Sequence, residues 1–325
     1  MMKKFLLTLL YSYLSLISWA QIDQQIIDQV SEYPDSFKLY EELSNKINAD
    51  FRSDEEKAAA IYVWMTQNIA YDVKAFFSGR AGRTESFSYR NEAEKIQKLS
   101  QMQREIALTT LKKKKAVCQG YAELYRVLCR ACAIECEVVA GYTKTNEMDI
   151  GNERLKVDHA WNVIKLDGQW YVVDATWGAG FVDYKRKAFV PAYTAVYFKQ
   201  SAQTSQLQRF PEDDKWSLTG ITFKEFVNQP IYYRSFFTSG ISSISPQKGT
   251  ITKAKKGVIN VTVKTVRKLS DFAYRFSNQK YMHKVEGQQK EGELIFNIPV
   301  DNNRNAYLYI ITDYETLVTY KLRLK

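Results

Sequence analysis

All four cysteines of the chain fall within nineteen positions, in the stretch "KAVCQGYAELYRVLCRACAIECEVVAG" from Lys115 to Gly141. Three chemistries are open to such a cluster: a metal site, a disulfide, or one reactive thiol among bystanders. Cys118 differs from the rest in its surroundings. It follows the Lys112–Lys115 run and stands where a loop enters a helix that runs on from Gln119. Helix N-termini and nearby cations both favour the thiolate, the nucleophilic form of cysteine. Cys129, Cys132 and Cys136 lie deeper in that helix or just past it, among apolar residues, where cysteine acts as a small core side chain. A zinc site built from these three lacks a fourth ligand, because His283 is remote in sequence. A disulfide from Cys136 to an earlier cysteine stays open in an exported chain. The pair in "CRAC", Cys129 and Cys132, sits well inside the helix and lacks the activation that disulfide-handling thiols need.

A nucleophilic thiol needs a base, and the segment "DHAWNVIKLDGQWYVVDATWGAG" offers one. Two apolar runs flank Asp167-Gly168, the pattern of a hairpin closed by a two-residue type I′ turn. In that register Trp161 faces Asp174 and His159 faces Thr176. His159, Trp161 and Asp174 then share one sheet face, with His159 diagonal to Asp174. Diagonal neighbours are about 7–8 Å apart at the backbone, within reach of a carboxylate meeting a ring nitrogen. Such an acid fixes the tautomer of the histidine and stabilises its imidazolium. A histidine merely satisfied by an acidic neighbour has the same pattern, so the hairpin alone leaves both readings open.

These residues need a frame. The stretch from Ile22 to Ser100 reads as helical, with a capping box from Ser53 to Glu56 and a 3.6-residue apolar face through Ala60, Ile61, Trp64, Met65 and Ile69. "FFSGRAGRTESFSYRNE", from Phe76, reads as an exposed loop, followed by a charged helix towards Leu111. "ECEVVAGYTK" reads as a strand and "FPEDDKWSLTGITFKEFVNQP" as a connector. From about Gly240 the chain is almost all strand-like, which predicts a small β-sandwich of immunoglobulin-like type. A chain of 325 residues fits two domains.

At the N-terminus, "MMKKFLLTLLYSYLSLISWAQ" has a basic start, an apolar run too short to span a bilayer, and small residues Ser18 and Ala20 before a cleavage point at Gln21. The expected division is therefore a signal peptide over 1–20, a catalytic domain with connector over 21–239, and a sandwich over 240–325. The expected location is periplasmic or extracellular, with no integral span after cleavage. The formal charge of +10 is concentrated near the end: Gly240 to Lys325 holds fifteen basic and seven acidic side chains, a net of +8. Its lysines lack the aromatic-and-arginine interleaving of a nucleic-acid surface, so no nucleic acid partner is expected. A solvated basic face, or contact with an anionic envelope or matrix polymer, fits this charge.

Taken together, "AVCQGYAELYRVL", "DHAWNVI" and "WYVVDATWG" resemble the transglutaminase-like superfamily, and especially its kyphoscoliosis-peptidase-type branch. "IYVWMTQNIAYD" upstream and "FPEDDKWSLTGITFKEF" downstream extend the resemblance over roughly Asp50 to Pro230. It implies an α+β, papain-like core in which a cysteine-bearing helix packs on an antiparallel sheet. It also implies Cys118 as nucleophile, His159 as general base and then acid, and Asp174 as the orienting group. The oxyanion donor is less clearly marked: the Cys118 N–H is one candidate, and Gln119, Trp161 and Trp177 are further candidates for oxyanion or substrate contacts. The expected activity is a peptidase or amidase acting on peptide or protein amides through a thioester, with no cofactor and no metal. A protein-crosslinking transglutaminase and a non-catalytic binding or scaffold protein that keeps the fold are the alternatives.

Overall fold

Ser53 opens a long buried helix by a reciprocal cap: its hydroxyl accepts the Glu56 N–H while the Glu56 carboxylate accepts the Ser53 N–H. In the computed structural model, residues 22–79, 88–265, 271–290, 292–300 and 303–324 are described. The expected signal peptide over 1–20 lies outside them. The chain begins with α1 (Gln24–Ser31), α2 (Tyr40–Asp50) and α3 (Asp54–Asn68). Periodicity suggests one apolar face for α3, yet every residue from Ala58 to Thr66 is buried. The reason is position: α1 and α2 pack against this helix, and so do two helices that follow later in the chain.

Next come β1 (Ala70–Tyr71), α4 (Val73–Phe77), α5 (Glu92–Lys113), β2 (Lys115–Ala116) and α6 (Cys118–Ala131). The expected loop from Phe76 thus begins as the end of α4, residues 80–87 lie outside the described residues, and Asn91 caps α5. The two-residue strands β1 and β2 pair in parallel, Ala70 with Lys115 and Tyr71 with Ala116. That clip fixes the backbone immediately before Cys118.

The sheet behind α6 has the order β5-β4-β3-β8, from β3 (Cys136–Thr143), β4 (His159–Leu166), β5 (Gln169–Val173) and β8 (Arg209–Pro211). Between β5 and β8 lie α7 (Ala175–Ala179), the hairpin β6 (Gly180–Asp183) and β7 (Ala188–Pro191), and α8 (Ala202–Ser205). The β4–β5 register is the predicted one, Asn162 facing Val173 and Leu166 facing Gln169. Asp167 and Gly168 both take positive φ, 50° and 77°, as a type I′ turn requires. The segment expected to be a plain connector supplies the edge strand β8, whose Tyr142–Phe210 and Thr143–Arg209 pairings extend the sheet beyond β3.

After α9 (Phe223–Val227), β9 (Ile231–Tyr232) and α10 (Arg234–Thr238), the chain is all strand: β10 (Ile241–Ser245), β11 (Thr250–Ile251), β12 (Val258–Thr265), β13 (Ala273–Phe276), β14 (His283–Lys284), β15 (Gln288–Lys290), β16 (Glu293–Pro299), β17 (Tyr307–Thr312) and β18 (Glu315–Leu322). One sheet runs β10-β12-β16-β15 and the other β11-β18-β17-β13-β14. Alternating residues such as Val261, Val263, Phe296 and Ile298 of the first meet Leu308, Ile310, Val318 and Tyr320 of the second in one core. Tyr232, Phe236 and Phe237 belong to that core too, and β9 pairs with β18. The fold is α+β: helices on an antiparallel sheet, followed by a two-sheet β unit.

Candidate active site

Cys118 is the first residue of α6, preceded by Val117 as a cap without a side-chain hydrogen bond. A helix leaves its first amides without intrahelical acceptors, so the N–H groups of Cys118 and Gln119 are available at the thiol. The helix is held to the sheet by a polar pin. Asn162, 1% exposed, donates its side-chain amide to Ala122 O at 2.9 Å and to Glu137 O at 3.3 Å. On the same side Cys118, Ala122 and Ala160 pack together.

His159 opens β4, opposite Gly141. Its Nε2 lies 2.7 Å from Asp174 Oδ2, and Cys118 is close enough to add to the rise in the pKa of the same ring. With Nε2 given to the carboxylate, Nδ1 is the nitrogen left for the thiol. Asp174 caps α7, its Oδ1 accepting the Trp177 N–H at 2.9 Å. One carboxylate therefore anchors the imidazole and starts the helix that carries Trp177. The Trp177 ring stacks on His159, centroids 4.9 Å apart and planes 15° apart.

Asp174 has a second cationic partner that sequence reasoning missed. Arg209 Nη1 donates to Asp174 Oδ2 at 2.6 Å. The rest of its guanidinium is engaged by Gln200 Oε1 and by Ser205 Oγ at 3.3 Å, and it lies 4.7 Å from the Trp177 ring centroid. Both members of this pair have fully buried side chains. The only hint in the sequence was an arginine in an apolar setting, "QRFP".

These contacts set the charges. Burial opposes the imidazolium, but the charge and hydrogen bond of Asp174, with the neighbouring Cys118, push His159 up to about 10. Burial likewise opposes the Asp174 carboxylate, yet His159, Arg209 and the Trp177 N–H hold it below the usual carboxylate range. Two of the cysteines deeper in the fold are shifted by burial. Burial raises Cys129 strongly, with Cys136 adding to the effect, and raises Cys132 to about 11. All four cysteines are free and buried. Among the described residues no group of three or more His, Cys, Asp and Glu side chains is placed to hold a metal ion.

The remaining sequence candidates are spread around this centre. Gln119 donates its amide to Glu123 Oε1 at 2.9 Å, so its side chain is drawn along the helix. Trp161 is 3% exposed and packs with Val139, Val163 and Val172 beneath the sheet, while Trp177 is half-buried and borders a cleft of about 400 Å³ beside His159. In the lysine run, Lys114 pairs with Asp35 at 2.8 Å and Lys115 with Asp72 at 3.7 Å. His283 is exposed, with Nε2 3.1 Å from Gln279 Oε1.

Residues 41–175 match the family model described as the transglutaminase-like superfamily. Kyphoscoliosis peptidase of Mus musculus is 28% identical over 227 residues, which cover 69% of this chain and 31% of that protein. The Homo sapiens protein of the same name is 26% identical over 257 residues, 78% of this chain and 34% of that one. The chain thus spans about a third of the length of the curated relatives it matches. Among solved structures, the periplasmic domain of TgpA from Pseudomonas aeruginosa aligns with 48% of each chain at 18% identity and a TM-score of 0.29. Over residues 41–175 the chain is similar to the transglutaminase-like superfamily, and over a longer stretch to kyphoscoliosis peptidase.

Proposed function

We propose that the protein is an exported cysteine-dependent acyl-transfer enzyme, a peptidase or amidase working through Cys118, His159 and Asp174. The observation that carries this reading is a buried imidazole held by Asp174 on Nε2 at 2.7 Å, with Cys118 nearby at the start of α6. In the proposed cycle the Cys118 thiolate attacks an amide carbonyl, and the first-turn amides of α6 receive the negative charge that develops on oxygen. The S–C bond forms, the C–N bond breaks, and His159 gives its proton to the leaving nitrogen. Water then attacks the thioester, with His159 taking the proton, and the thiolate is restored. An amine in place of water would transfer the acyl group by the same steps. The leader-like pattern before Gln21 supports export, and the alternating strands after Gly240 support an immunoglobulin-like accessory unit.

The test is iodoacetamide labelling of the mature protein from about pH 5 to about pH 9, with the modified residue located by peptide mapping. Cys118 is expected to react first, ahead of Cys129 and Cys132, which burial pushes up. His159→Ala is expected to slow it to the rate of an ordinary thiol. If Cys118 is inert in the unmutated protein, the fold serves binding and not catalysis.

A further inference from the structure

The cleft of about 400 Å³ is bordered by His159, Thr176 and Trp177 but not by Cys118. In acyl transfer by a cysteine–histidine pair, the departing amine collects its proton from the histidine. A cleft on the histidine side therefore receives the amine half of the substrate, not the acyl half. Its two walls differ in chemistry. One is aromatic: Tyr71 and Phe76 lie 5.8 Å apart, Phe76 and Tyr184 6.2 Å, and Tyr71 and Phe189 6.5 Å, all bordering the cleft. Aromatic walls of this kind bind apolar rings by offset or edge contacts.

The other wall carries the Arg234 guanidinium. Arg234 donates Nη1 to Trp177 O at 2.9 Å and Nη2 to Ala192 O. The first of these bonds places the guanidinium beside the residue that stacks on His159. Lys144, also on this wall, is buried, which pushes it down to about 7, and it donates to Gln229 O at 3.0 Å and Pro230 O at 3.1 Å. Among the described residues, all the acceptors of these two side chains are main-chain carbonyls. A guanidinium has five N–H donors in a planar fork suited to carboxylates, so two carbonyls leave capacity unused. Asp158, which also borders the cleft, is engaged already: its carboxylate accepts the Thr143 N–H at 2.9 Å and the Thr143 hydroxyl at 2.7 Å.

Resting on the acyl-transfer reading above, we propose that this cleft is the leaving-amine subsite and takes a residue that has both an aromatic side chain and a free carboxylate. The ring lies against the Tyr71–Phe189 wall and the carboxylate on Arg234. The substrate class is a peptide with an aromatic C-terminal residue. Attack by Cys118 forms the S–C bond and breaks the last amide, the His159 proton goes to the leaving nitrogen, and the aromatic amino acid departs. Water then releases the shortened peptide from the thioester.

Binding separates this subsite from turnover. The full chain with Cys118→Ala is titrated calorimetrically with acetyl-Ala-Phe, its C-terminal amide and acetyl-Ala-Gly. The free acid with phenylalanine is expected to bind about tenfold more tightly than either of the others, the difference a charge-assisted hydrogen bond or a buried ring provides. Adding Arg234→Gln is expected to erase the preference for acid over amide and keep that for phenylalanine over glycine, whereas Arg234→Lys retains part of the first; circular dichroism checks the fold of each. Equal binding of acid and amide, equal binding of phenylalanine and glycine, or no binding of any probe overturns the subsite. The labelling of Cys118 needs no ligand, so rapid labelling with indiscriminate binding removes this proposal alone. An inert Cys118 removes the reading beneath it.

Discussion

Arg209 and His159 meet on a single oxygen: Asp174 Oδ2 is 2.6 Å from Arg209 Nη1 and 2.7 Å from His159 Nε2. The carboxylate is thereby held from three directions, with its other oxygen on the Trp177 N–H. Its position cannot follow the imidazole alone. Arg209→Met is expected to lower stability to urea by about 3–5 kcal/mol, because it strips one partner from a buried ion pair. A loss below about 1 kcal/mol would mean that His159 and the α7 cap suffice to hold Asp174.

The raised His159 can be watched directly, because the chain contains two histidines and the other, His283, is exposed. With ring-labelled histidine and a His283→Gln control for assignment, the His159 resonance is expected to titrate near pH 10. Asp174→Asn removes the charge that opposes burial, so the midpoint is expected to fall below the ordinary value of about 6.5.

Stability should carry the same signature. A histidine held above its unfolded value of about 6.5 contributes fully below that pH, and the contribution disappears as pH rises through about 10. Asp174, held low, contributes fully above its unfolded value of about 4, and loses that contribution as pH falls through its folded value. Urea midpoints measured against pH are expected to decline on the alkaline side in the unmutated protein and to flatten there in His159→Gln.

Asn162 holds β4 against α6 through Ala122 O and Glu137 O. Asn162→Leu leaves those carbonyls without that donor, an expected cost of about 1–3 kcal/mol. Since the pin fixes the strand of His159 relative to the helix of Cys118, labelling of Cys118 is expected to slow as well. Unchanged labelling in a destabilised variant would confine Asn162 to packing.

Gly178 tests the seat of Trp177. A Cβ at that position would overlap the phenol of Tyr62, whose hydroxyl donates to Thr194 O at 2.6 Å. Gly178→Ala is therefore expected to cost about 1–3 kcal/mol by overpacking, and Tyr62→Leu in the same chain to recover part of it. Thermal melts of the two single variants and the double variant decide this.

The sequence made the local parts of the site legible. A capping box, a helix start at Cys118 and a two-residue turn at Asp167-Gly168 are short-range signals; the turn set the register as far as Asn162–Val173, beyond which Asp174 leaves the strand to cap α7 instead of pairing with Trp161. What lay beyond reach was set by distance along the chain. Arg209 is 35 residues past Asp174 in a three-residue strand, too short for alternation to show, just before a segment that reads as a connector. The contrast between Trp161 and Trp177 was hidden for a different reason. Trp161 follows the strand's face under the sheet, whereas Trp177 turns toward the cleft only because the chain leaves β5 for α7. Likewise, α3 reads as one-sided because periodicity senses its own pattern and not how many neighbours will surround it.

With Asp174 ionised and Arg209 cationic, the formal charges of Cys118, His159, Asp174 and Arg209 cancel whether the mobile proton rests on sulfur or on imidazole. Moving it between them redistributes charge inside a neutral set and requires no counter-ion from solvent. In the proposed cycle a substrate would cover the thiol without stranding net charge in a low-dielectric space, and activation of Cys118 is expected to be largely indifferent to ionic strength.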